Sequence, residues 1–126
     1  MAEATLTSKR IWEDTGATFL ARILGDDGAA IVQADFGSIS YAVFEEDATA
    51  AVVSGSLTVS DVVFDTYQTD ARWTVDSTGY NFRHTVAASV FSTGNAAYRI
   101  EYKFEPTGDE PFYAVLQAIT VETRTG

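Results

Sequence analysis

The chain has 126 residues, with 18 acidic and eight basic side chains, one histidine, no cysteine and a formal net charge of −10. A single domain of this length buries about two-thirds of the surface that its unfolded chain exposes, so it needs no disulfide or metal to fold. The missing cysteines exclude disulfide frameworks, thiolate metal sites and cysteine nucleophiles. The acidic balance also disfavours nucleic acid and anionic membranes as partners.

The N-terminal segment is polar and lacks the apolar run of a signal peptide. No stretch of the chain approaches the roughly 20 apolar residues that span a bilayer. We interpret residues 1–13 as an N-terminal arm and residues 14–126 as one domain. The arm carries Lys9, Arg10 and Trp12, and chain termini often become ordered where they are tied down. These three residues are therefore a predicted interface with a neighbouring subunit.

Alternating runs of apolar and polar residues predict strands in the rest of the chain. The clearest is Tyr98–Glu105, in which four large apolar residues alternate with four charged ones. A period of two puts the apolar groups on one face of a strand, whereas a helix would scatter them. Weaker runs of the same kind occupy residues 18–23, 38–43, 53–59 and 80–86. The last run, Phe112–Thr123, changes phase near its middle, which predicts a bulge.

Turn-forming residues separate these runs, and helical signal is scarce. Glycine with aspartate, serine or asparagine favours tight turns, here at 25–28, 76–79, 92–95 and 106–109. Several short strands with frequent turns favour a sandwich over a parallel sheet with crossover helices. We predict an all-β, immunoglobulin-like antiparallel β-sandwich of about seven to eight strands.

The stretch Ser60–Gly79 has no clear periodicity and contains Tyr67, Arg72 and Trp73. A connection this long inside a small domain is either functional or contains unrecognised structure. Arginine and tryptophan dominate interface hot spots, so these residues form a second predicted interface. Trp73 is equally well interpreted as a core tryptophan of the sandwich. The aspartates of this stretch and of other turns are solvated turn residues or, alternatively, calcium ligands.

No arrangement of residues predicts an enzyme. His84 is the single histidine, so any Ser-His-Asp triad would need it, yet its alternation places it on the apolar face of its strand. One histidine without cysteine leaves too few zinc ligands. Carboxylate pairs at a suitable spacing arise by chance among so many acids. We therefore predict no catalytic residue, no metal site and no cofactor.

Three groups of segments carry a resemblance to a known family. They are 14–19 with the Gly-Asp-Asp-Gly turn at 25–28, then 39–44, and then 79–83 with 91–94 and 98–104. Their order resembles small immunoglobulin-like structural proteins of tailed phages and prophages, including the N-terminal domain of baseplate upper proteins. The resemblance covers roughly residues 14–122.

That resemblance implies a non-enzymatic virion component, namely a capsid-decoration, neck, tail or baseplate protein. Its expected partners are other virion proteins and copies of itself, because such proteins act as symmetric oligomers or in many copies. The expected location is the virion, after assembly in the host cytoplasm. The alternative function is a carbohydrate-binding β-sandwich module with or without calcium, whose sugar platform would be Trp12, Tyr67, Trp73 and Tyr113.

Overall fold

The structure is a computed structural model that describes residues 3–6 (backbone only), 9–25, 27–46, 48–108 and 110–122. Nine strands in these residues form two sheets and confirm the predicted all-β sandwich. The strands are β1 (Glu3–Leu6), β2 (Lys9–Trp12), β3 (Ala17–Leu24), β4 (Phe36–Glu45), β5 (Val53–Leu57), β6 (Val63–Gln68), β7 (Tyr80–Val86), β8 (Ala97–Pro106) and β9 (Phe112–Val121). One sheet has the order β1-β3-β7-β6 and the other the order β2-β9-β8-β4-β5. A short helix, α1 (Val59–Val62), and two single 3-10 turns (Gln33–Asp35 and Ala88–Val90) complete the secondary structure.

The N-terminal segment that the sequence suggested as an arm contributes one strand to each sheet. β1 pairs antiparallel with β3, and β2 pairs parallel with β9. These two strands bring the total above the seven to eight predicted. The β2–β9 pair is parallel, and the other pairs of the described residues are antiparallel, as in the predicted antiparallel sandwich.

The hairpin of β8 and β9 confirms the clearest prediction and corrects another. Tyr98, Ile100, Tyr102 and Phe104 of β8 are all fully buried. The register with β9 runs without a shift from one end of the hairpin to the other, so the predicted bulge is wrong. The apparent change of phase arises because β9 has apolar residues on both of its faces.

The main core lies between the two sheets, and aromatic rings fill its centre. Phe82 of the four-stranded sheet lies edge-on to Tyr102 and Phe104 of the five-stranded sheet, with ring centroids 4.9 and 5.4 Å apart. Full burial of such a side chain stabilises the fold by about 1.5–3 kcal/mol. This shared core fixes the two sheets against each other and leaves each with one outer face. The described residues include no helix long and apolar enough to cross a bilayer.

A second, smaller core lies on the outer face of the four-stranded sheet. The prediction that 60–79 is irregular is wrong over its first part, which contains most of α1 and the whole of β6. The remainder, residues 69–79, folds back over the sheet. There Trp73 packs with Leu20 and Tyr80, and Phe64 borders the cluster. The long connection thus covers apolar surface of the sandwich.

Candidate protein-interaction surface

The outer face of the five-stranded sheet exposes a row of large apolar side chains. Trp12 and Tyr113 are 58% and 60% exposed, and Val115 and Ile119 are nearly half exposed. We call these four residues the apolar strip. They make up four of the seven large hydrophobic residues exposed in the described part of the chain. Three of them lie on β9 and Trp12 lies on the neighbouring β2. Because single exposed apolar residues are normal and grouped ones are not, their arrangement on one face marks a candidate interface.

Strand alternation places the strip on this face. In β9 the inward residues Ala114, Leu116 and Ala118 are buried in the core, whereas the exposed Gln117 lies on the outer face between Val115 and Ile119. Parallel pairing then sets Trp12 beside Val121 and Arg10 beside Ile119, so β2 extends the strip laterally. A shallow groove of about 270 Å³ lies there, lined by Arg10, Ile11, Trp12 and Val121.

Beside the strip, the outer side chains of β8 form a row of alternating charge, Arg99, Glu101, Lys103 and Glu105, which we call the charged row. The Arg99 guanidinium lies 2.7 Å from the Glu101 carboxylate, and the Lys103 ammonium lies 3.5 Å from that of Glu105. The Ser38 hydroxyl donates a hydrogen bond of 2.6 Å to Glu105. This bond, and next the Lys103 charge, lower the pKa of the Glu105 carboxyl. The Glu105 carboxyl is therefore ionised at neutral pH.

The charge of this face differs from that of the chain as a whole. Its outward side chains include three bases, Arg10, Arg99 and Lys103, and two acids, Glu101 and Glu105. Glu46, whose carboxylate accepts a hydrogen bond from Gln117 of β9, is a third acid at this face. The face therefore carries a net charge of 3 − 3 = 0, whereas the whole chain carries −10. Because the rest of the surface is acidic, a negatively charged partner meets the least repulsion at this face.

Trp73, a predicted interface residue, is only 6% exposed and belongs to the second core. Its indole Nε1 donates a hydrogen bond of 3.0 Å to the Asp76 carboxylate, which also lies 2.7 Å from the Arg22 guanidinium. The bond from Trp73, followed by that from Arg22, lowers the pKa of Asp76 to about 2. Trp73 thus holds residues 69–79 against the four-stranded sheet, and its buried ring is not available to a partner.

The other two predicted residues of this stretch lie apart from the apolar strip. Arg72 forms a bidentate pair with Asp70, which also accepts a hydrogen bond of 2.5 Å from the Tyr80 hydroxyl. The side-chain bond from Arg72, and then that from Tyr80, hold the pKa of Asp70 well below its usual value. Tyr67 is partly exposed on the edge strand β6. Tyr67 thus belongs to the four-stranded sheet, and Arg72 belongs to the segment 69–79 that folds over it.

The six predicted interface residues therefore do not form one site. Arg10 and Trp12 join the outer face of the five-stranded sheet, and the half-buried Lys9 alternates with them on β2. Val115 and Ile119 were missed as interface residues, and Tyr113 was named only for the sugar alternative. The available signal was the run of apolar residues at both odd and even positions of β9, which we interpreted as a bulge.

His84 lies at the edge of the main core among aromatic groups. Its Nδ1 is 2.8 Å from the Tyr102 hydroxyl, and its ring lies edge-on to Tyr41 with centroids 4.7 Å apart. Burial lowers the pKa of His84 to about 4, and burial also raises that of Tyr102. The imidazole is therefore neutral at pH 7 and hydrogen-bonded, as its place on the apolar strand face predicted.

Aspartates of the stretch 60–79 make hydrogen bonds within the protein. Asp65 accepts a bond of 2.8 Å from the Gln33 backbone, and Asp70 and Asp76 are paired as above. In the described ranges, no three histidine or carboxylate side chains gather in a group that could hold a metal ion. Asp26 and Asp109, which belonged to the calcium alternative, lie outside those ranges.

Neither the scan against protein-family models nor the search of curated proteins found a match for this chain. Function is therefore inferred from the residues and surfaces described above.

Proposed function

We propose that this protein is a non-enzymatic structural component of a tailed-phage particle, acting in capsid decoration, the neck, or the tail and baseplate. It binds other virion proteins and copies of itself through the outer face of its five-stranded sheet. The apolar strip carries this proposal, because grouped exposed apolar side chains rimmed by charge are typical of protein interfaces.

The strand order supports the immunoglobulin-like part of the proposal. The order β1-β3-β7-β6 corresponds to strands A, B, E and D of such a domain, and β9-β8-β4 corresponds to G, F and C. Tyr98 lies near the start of β8 and is fully buried, and its hydroxyl accepts a hydrogen bond of 3.1 Å from the Thr93 backbone upstream. This matches the corner tyrosine at the start of strand F.

The composition of the strip favours a protein partner. Tryptophan and tyrosine are enriched among residues that dominate binding energy, and Trp12 and Tyr113 are the two most exposed large hydrophobic side chains of the described residues. The adjacent Val115 and Ile119 add aliphatic surface, each worth about 1 kcal/mol if the exposed half becomes buried. Charged side chains on β8 form a polar rim.

The same geometry disfavours the sugar-binding alternative. Trp12 pairs with Val121, which is eight residues from Tyr113 along β9. At about 3.4 Å per residue, the two aromatic side chains are about 27 Å apart, too far for adjoining sugar rings to stack on both. Trp73 is buried and Tyr67 lies on the other sheet. No shared aromatic platform results.

The proposal is tested by complementing a phage or prophage that lacks this gene with Val115→Glu. We expect the variant to be missing from purified particles by quantitative mass spectrometry, because a buried charge without a partner weakens an interface strongly. Val75→Glu is the matched control, since Val75 is equally exposed in the loop over the other sheet, and it should be incorporated normally. Absence of the wild-type chain from the particles would refute the proposal.

A further inference from the structure

We infer that the charged row and two residues of the apolar strip, Tyr113 and Val115, together bind a second copy of this chain, with the two five-stranded sheets face to face and their strands antiparallel about a two-fold axis. This inference rests on the proposed function, since it names the partner of the same face. A two-fold interface must be self-complementary, because the same patch serves both subunits. The charged row meets that requirement.

The order of charges along β8 is basic, acidic, basic, acidic. A two-fold axis perpendicular to the strands, between the two sheets, reverses this order in the second copy. With the axis above Tyr102, Arg99 lies opposite Glu105 of the partner subunit, and Glu101 lies opposite Lys103 of the partner subunit. Every charge of the row then faces its opposite, whereas a parallel arrangement in register would set like charges together.

Overall charge favours the same face. The face has no net charge, so the remainder of the chain carries the whole −10. Two copies that approach through any other surface bring net negative charge against net negative charge, which reduces the rate and affinity of association. The five-stranded sheet is the surface on which this acidic chain can meet itself without that repulsion.

Apolar complementarity and area agree with a dimer. With Tyr102 on the axis, its β9 neighbour Ala114 also lies on the axis. Tyr113 then lies opposite Val115 of the partner subunit, and Ile119 and Trp12 lie outside this contact. The three ten-residue strands β4, β8 and β9, at about 3.4 Å per residue, are about 34 Å long and together about 14 Å wide. The face thus offers about 490 Å² per copy, and a total near 1,000 Å² is the size of a weak, reversible interface.

The first experiment measures the mass of the full chain by sedimentation equilibrium over a range of concentrations. The chain has a mass of 13.6 kDa, so we expect the average mass to rise towards twice that value. Glu101→Lys makes three consecutive bases on β8 and should weaken the dimer more than 10-fold. Asp61→Lys changes the net charge equally on an exposed residue of α1, away from the face, and should leave the dimer unchanged.

The second experiment mixes two variants of opposite charge. One carries Glu101→Lys with Glu105→Lys, and the other carries Arg99→Glu with Lys103→Glu. Each alone should dimerise more than 100-fold more weakly than the wild type, and an equimolar mixture should form a heterodimer. Circular dichroism and thermal melting establish that both are folded. If either is not, Val115→Glu replaces the pair, and it should be monomeric.

Three results would overturn the inference: a wild-type chain that stays monomeric at about 200 µM, row variants that dimerise like the wild type, or a mixture that stays monomeric. The wild-type chain could instead be monomeric and still enter particles, with the Val115→Glu variant missing from them. In that case the proposed function stands, and the face binds a different partner. If the chain dimerises but is absent from particles, the proposed function is refuted and the inferred self-association stands.

Discussion

Acidification should destabilise this protein through its single histidine before most of its carboxylates titrate. His84 is half-buried against Tyr41 and hydrogen-bonded to Tyr102, and burial lowers its pKa to about 4 in the folded chain. In the unfolded chain its pKa returns to about 6.5. Below pH 6.5 the unfolded state therefore binds a proton that the folded state does not.

The sign and size of the effect follow from this difference. Stability falls as pH falls wherever the unfolded state binds more protons, so the contribution of His84 is full above pH 6.5 and declines until about pH 4. The full shift corresponds to about 2 kcal/mol between pH 7 and 4.5. Because the ring keeps some solvent contact, we expect a loss of roughly 1–2 kcal/mol.

Urea unfolding at pH 7, 6, 5 and 4.5 measures this loss when the wild type is compared with His84→Gln. The carboxylates are common to both proteins, so the difference between their free energies of unfolding isolates the histidine. We expect the wild type to lose stability relative to the variant as the pH falls. Parallel pH profiles for the two proteins would refute the reasoning.

Three further stability predictions are measured by urea denaturation. Gly79→Ala should cost about 3 kcal/mol or more, because φ is +105° and the new Cβ would meet the Gln68 backbone, whereas Gly28→Ala, at φ +78° with open space, should cost about 1 kcal/mol. Trp73→Ala should cost about 3–5 kcal/mol and speed amide exchange in the loop that it fastens. Thr120→Val should cost about 1–3 kcal/mol, because a buried hydroxyl that bonds two backbone groups is lost.

The sequence was sufficient to predict the strands that have one apolar face and one charged or polar face. Tyr98–Glu105 was predicted correctly because its charged face and apolar face leave one possible orientation in a sheet. In β9 that contrast is absent, since Val115 and Ile119 are apolar and point outwards. Binary patterning treats such residues as core, so it produced a bulge in place of an exposed strip. The error and the candidate interface have the same physical origin.

Long-range contacts account for the rest of what sequence analysis missed. β2 has only four residues, and its partner β9 lies more than a hundred positions away in the sequence. No local sequence pattern therefore predicts that these two strands pair. The position of Trp73 was undecidable because its partner Leu20 comes from a distant strand. Arg10 and Trp12 were singled out from the sequence as a predicted interface, but their neighbours on the face could not be named.

The parallel pairing of β2 with β9 also orders the events of folding during synthesis. β1 can pair with β3 as soon as β3 has left the ribosome, because the two strands are close in sequence. β2 has to wait for β9 to emerge before it can dock. Until then, the Trp12 end of the strip is incomplete. A nascent chain therefore cannot present the whole apolar strip before β9 has been synthesised.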